Sequence, residues 1–135
     1  MEQEVNIKQV VDYWKTEAER NYETAEFLYK GKKYSDCLFF CHLMLEKILK
    51  GLVVKQTKIH APYIHELDTL VIRTNLDLNE EQMRQLKIIN TFNIRARYDN
   101  IKKSFYQRCD KNYTEEYFNI SKELYLWLKK EYQKK

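Results

Sequence analysis

Apolar residues recur along this chain at spacings of three and four, the period of helices that bury one face. Between about Lys8 and Lys30 the stripe is Val11, Trp14, Ala18, Tyr22, Ala25 and Tyr29, and most other positions are polar or charged. Gly31 is expected to end this helix, because the residue past a helix often turns left-handed and glycine does so without strain. A short polar link then predicts a second helix folding back antiparallel. That helix, with Ser35 or Asp36 as cap, runs to about Lys55 and is apolar nearly all round, through Leu38, Phe39, Phe40, Leu43, Met44, Leu45, Ile48, Leu49, Leu52 and Val53. Such an element belongs at the centre of a bundle or in a dimer seam. Its exceptions, His42, Glu46 and Lys50, fall at intervals of four and form one polar ridge. Buried polar groups are costly when unpaired, so the ridge needs partners.

Pro62 suits the first turn of a shorter third helix carrying Ile64, Leu67, Leu70 and Val71. Asn79 and Gln82 have capping-box spacing, with Glu80 and Glu81 at the positive helix end. A fourth helix follows through Met83, Leu86, Ile89 and Phe92. It bears a second polar ridge, Asn90, Asn93 and Arg97, whose pitch matches the first. The two ridges are expected to form a buried polar network, with Arg97 paired to Glu46. Asn100 to Asn112 keeps no apolar period and reads as a long basic loop or a frayed helix end. Thr114, followed by Glu115 and Glu116, starts a last helix that turns Tyr117, Ile120, Leu124, Trp127 and Leu128 inward. The pattern predicts one all-α domain over residues 1–135, an antiparallel, up-and-down bundle of four to five helices.

Composition agrees. The chain has 135 residues, 44% of them apolar, enough for one core. Two glycines and one proline leave little turn chemistry for a sheet. Three cysteines, Cys37, Cys41 and Cys109, make no disulfide framework, which fits a reducing cytoplasm. The acidic N-terminus lacks the features of a secretion signal, and no run approaches the roughly eighteen apolar residues of a membrane span. No membrane partner is expected.

Charge changes the picture in one place. The net charge is +4, and Arg95, Arg97, Lys102, Lys103, Arg108 and Lys111 against Asp99 and Asp110 account for all of it. Tyr98, Phe105 and Tyr106 are interleaved, so this segment could meet phosphates and stack on bases. Other candidate chemistry is thinner. Cys37, Cys41 and His42 lack a fourth ligand at a suitable spacing, so no metal is expected. Adjacent Cys41 and His42 point about 100° apart on a helix, which disfavours a nucleophile–base pair. His60 is expected to be exposed. His65 could be a general base or a structural donor, with only Glu66 beside it in sequence.

Three passages resemble the HEPN family of small helical proteins: DYWKTEAERNYETAEFLYKGKKYSDCLFFCHLMLEKILKGLVV, IHEL, and NIRARYD, together spanning about Asp12 to Asp99. The resemblance implies an antiparallel bundle, often a homodimer with a cleft at the subunit junction, found alone or beside a nucleotidyltransferase. It also implies, for many members, a metal-independent ribonuclease, sometimes a toxin of a toxin–antitoxin pair, with an Arg followed four to six residues later by His. This chain has no histidine after His65. The reading that follows is a cytoplasmic nucleotide- or RNA-binding module without cofactor. It would be homodimeric, the partner of a separately encoded nucleotidyltransferase, and use Arg95, Arg97, Tyr98, Lys102, Lys103 and Arg108 on phosphate or nucleic acid. The alternative is a ribonuclease in which Arg97 serves the phosphate and His42 or His65, brought near in space, handles the proton. A third is an interaction scaffold without a ligand.

Overall fold

The computed structural model describes residues 6–95 and 99–134, apart from the side chains of residues 99 and 100. Six helices are formed and no strand occurs among the described residues: α1 (Ile7–Lys30), α2 (Tyr34–Thr57), α3 (Leu67–Ile72), α4 (Glu80–Arg95), α5 (Asp99–Arg108) and α6 (Lys111–Glu131). α2 is the axis of the bundle. Fourteen of its 24 residues are buried, and α1, α3, α4, α5 and α6 all pack on it. The stripe of α1 turns inward as its spacing requires, with Ala18 and Ala25 fully buried so that α1 approaches α2 closely. Aromatic stacking closes the other seam of α1, where Tyr22 meets Tyr125 at 5.5 Å and Tyr29 meets Phe118 at 5.3 Å between ring centroids.

The turn between α1 and α2 departs from expectation. Gly31 keeps φ at −82°, and the left-handed residue is Lys32, at φ 63°. Lys33 N–H donates to Leu28 O at 2.8 Å and Lys32 N–H to Tyr29 O at 3.0 Å, the paired closure that puts the left-handed position one residue beyond Gly31. α2 therefore begins at Tyr34, and Ser35 and Asp36 lie inside its first turn rather than capping it. Gly51 has a different task. A Cβ there would overlap the Tyr132 hydroxyl, which donates to Ile48 O at 2.7 Å, so the missing side chain lets the end of α6 hydrogen-bond into α2.

Three helix starts are set by contacts that periodicity does not register. α3 begins at Leu67, not at Pro62, which lies in the preceding connection. The Leu67 N–H donates to Asn90 Oδ1 at 2.7 Å, so a side chain of α4 caps α3. The segment expected to be a loop is α5, anchored by Phe105, which is fully buried with its ring centroid 5.5 Å from that of Phe92, and flanked by buried Cys109. α6 starts three residues earlier than expected, because Asp110 accepts from Tyr113 N–H at 2.8 Å, and Thr114 is left buried inside the helix. The capping box of α4 forms as expected, with Asn79 N–H donating to Gln82 Oε1 at 3.0 Å and Gln82 N–H to Asn79 Oδ1 at 2.8 Å.

Candidate functional site

The polar ridge of α2 is buried as its spacing demands, with His42 1%, Glu46 3% and Lys50 6% exposed. Glu46 is its hub. Lys50 Nζ donates to Glu46 Oε2 at 2.9 Å, and His65 Nδ1 lies 3.0 Å from the same oxygen. His42 Nε2 donates to the His65 carbonyl at 2.9 Å, while its Nδ1 is 3.7 Å from Glu46 Oε1. A carbonyl only accepts, so Nε2 of His42 carries a proton. In His65 the carboxylate selects the Nδ1–H tautomer, leaving Nε2 as acceptor in the neutral ring. The His65 side chain is 57% exposed, so a buried carboxylate orients an imidazole that reaches solvent.

The partner ridge behaves differently from expectation. Asn90 Nδ2 donates to Asp68 Oδ1 at 2.7 Å while Asn90 Oδ1 caps α3, so Asn90 clamps α3 to α4 instead of meeting Glu46. The backbone N–H at a helix start competes well for a neutral amide. Asn93 and Asn90 border a cavity of about 110 Å³ that His42 and His65 also line. Arg97 and Tyr98 lie outside the described residues, and with them the expected Arg97–Glu46 pair. His65 thus bonds the ridge, as a structural role for it requires; which ridge residue it meets could not be read from spacing, since 19 residues separate it from Glu46.

The second cluster surrounds α5. Lys102, Lys103, Tyr106 and Arg108 are exposed, and Phe105 points inward. The Arg95 guanidinium sits 4.9 Å over the Phe105 ring, and that of Arg108 4.8 Å over Tyr113. Burial pushes the Cys109 thiol up to about 12, against the opposing pull of Arg95 and Arg108. Both guanidinium groups thus lie near Cys109, just past the end of α5. Cys37, Cys41 and Cys109 are free and buried, and burial holds the Cys41 thiol well above its ordinary range. Among the described residues, no group of three His, Cys, Asp or Glu side chains is placed to hold a metal ion. His60 is exposed at the rim of a separate groove.

Comparison with known proteins decides the family. A family model described as HEPN domain matches residues 11–132. This chain belongs to the HEPN family. The HEPN bundle is also similar to a solved structure, that of TT1696 from Thermus thermophilus, with a TM-score of 0.76 at 16% identity over 89% of this chain and 96% of that one. At that identity the likeness speaks for the fold. No curated protein matches this HEPN sequence. Among its described residues, no helix is long and apolar enough to cross a membrane.

Proposed function

We propose that this HEPN domain binds RNA or a nucleotide through phosphate contacts on α5, acting as a cytoplasmic homodimer beside a separately encoded nucleotidyltransferase. The observation that supports the reading is the division of α5 into two sides. Phe105 anchors it to the core, and Lys102, Lys103, Tyr106 and Arg108 stand in solvent, with Arg95 alongside. Cations interleaved with an exposed aromatic suit a single strand, the cations neutralising its phosphates and the ring stacking on its bases. Arg97 and Tyr98 belong to the same proposed surface by sequence. Filter binding of single-stranded RNA at low salt tests it: the wild type retains RNA, and the Lys102→Glu, Lys103→Glu double variant loses most of that retention. No retention by the wild type would sink the proposal.

The Glu46–His65 pair favours a second reading, a metal-independent ribonuclease. His65 Nε2 would take the 2′-hydroxyl proton while Arg95 or Arg97 offsets charge on the phosphorane. His42 suits a positioning role, since it is buried and its Nε2–H is spent on the His65 carbonyl. RNA incubated with the protein in chelator should then be cleaved, and cleavage should vanish in His65→Asn while far-UV circular dichroism stays unchanged. Intact RNA would remove this reading and leave the binding one standing.

A further inference from the structure

A groove of about 560 Å³ lies between the first half of α1, α2 and the connection over residues 58–66, and neither the polar ridge nor α5 explains it. Its walls are Tyr13, Trp14 and Pro62, its rim Tyr63 and His60, and Lys50 comes from α2. Tyr13 is 56% and Tyr63 100% exposed, so neither ring contributes much to the core. Tyr13 and Trp14 meet edge to face, 5.2 Å apart at 71°, which holds two ring faces in different directions. Lys50, almost wholly buried, places its ammonium 5.5 Å over the Trp14 ring.

We propose that this groove takes a single unstacked nucleobase, held between Tyr13, Trp14 and Tyr63, with the Lys50 ammonium donating to a carbonyl oxygen or ring nitrogen on the edge of the base. Size and electrostatics select this occupant. The volume is ample for a base with its sugar and falls within the range of small-molecule sites. An ammonium has three N–H donors, and one of them goes to Glu46 Oε2 at 2.9 Å. The charge of Lys50 is thus already matched by Glu46, and a carboxylate or phosphate pressed against Lys50 would also face the Glu46 carboxylate nearby. What the groove offers is oriented N–H bonds without net positive charge. That combination recognises neutral acceptors on a flat ring, and every base presents a π-face for the aromatic walls.

The groove stands apart from the α5 surface. Cys109, just past α5, interacts with Cys37, and Lys50 lies thirteen residues further along α2, about 20 Å at the helical rise. One nucleotide cannot occupy both places, so the two proposals fail or hold separately.

The test uses adenosine, guanosine, cytidine and uridine, which carry no phosphate, titrated into a Trp127→Phe protein in which Trp14 is the remaining tryptophan. At least one nucleoside should quench Trp14 fluorescence saturably, with equal affinity at low and high salt. Tyr63→Ala, which alters a fully exposed side chain and leaves the core intact, should weaken that binding by about five- to a hundred-fold, the contribution of one stacked base. Lys102→Glu should leave it unchanged. Quenching that stays linear for all four nucleosides overturns the proposal, as does saturable quenching that Tyr63→Ala and Tyr13→Ala both leave intact. Displacement of nucleosides by low benzoate, or affinity that falls steeply with salt, overturns it too, because each marks an anion site.

Discussion

Glu46 is the hub of the buried polar ridge. It is buried, it holds Lys50 and His65 on one oxygen, and through His65 it ties the 58–66 connection to α2. Removing its charge strands Lys50 in the core, and breaking a buried pair from one side typically costs about 3–5 kcal/mol. Glu46→Gln should therefore lower the urea midpoint sharply, and Lys50→Met added to it should restore much of the loss. An unchanged midpoint in the single variant would show that water reaches the pair. The ridge itself was legible because charged residues spaced by four on an apolar helix must share a face. Their partners were not. Asn90 has the right pitch to meet the ridge, yet a helix-start N–H on α3 claims its side chain, and His65 arrives from a connection with no period at all.

At the scale of elements, long stripes were readable and short anchored pieces were not. α1, α2, α4 and α6 follow their apolar periods closely, whereas α5 rests on Phe105, too sparse a stripe to distinguish from a loop. Phe105→Ala should cost about 3–5 kcal/mol, as loss of a buried phenyl ring does, and hydrogen exchange should show α5 amides losing protection first. Retained protection there would mean that α5 is held by something other than this ring. Gly51 makes the opposite case, a helix interior where alanine is worse than glycine. Propensity alone favours Gly51→Ala by about 1 kcal/mol, but the new methyl group meets the Tyr132 hydroxyl and the Trp14 Cβ. Overpacking of about 1–3 kcal/mol should win, seen as a lower thermal midpoint. A higher midpoint would mean that α6 moves aside freely.

Across the whole bundle, several thiols and phenols are buried between helices, and burial favours their protonated forms. Cys109 has an ordinary value of 9.0 and is raised to about 12 by burial, and burial also raises Tyr125 and Tyr132. Below about pH 9 folded and unfolded chains alike hold the Cys109 proton, and its contribution is complete. Between about 9 and 12 the unfolded chain releases that proton first, so stability falls as pH rises. Equilibrium unfolding in urea should show this alkaline decline, and Cys109→Ala should make it shallower between about pH 9 and 11. A curve unaltered by that substitution would place the effect on Cys41 and the tyrosines instead. The basic residues of α5, Lys102, Lys103 and Arg108, stand outside the bundle. Family membership was legible from three passages, the hairpin of α1 and α2 among them, and the basic cluster was legible as charge; that Lys102, Lys103 and Arg108 share a helix was not.

The proposed function stands or falls on whether the α5 surface grips phosphate. The most direct measurement is the affinity for single-stranded RNA as a function of salt, compared between wild type and Lys102→Ala, Lys103→Ala. Each phosphate contact contributes about 0.7 to the slope of log affinity against log salt for a single strand. The double variant should therefore bind more weakly and with a slope shallower by about 1.4, at an unchanged thermal midpoint. Equal slopes in the two proteins would contradict the assignment of α5 as the phosphate-binding surface.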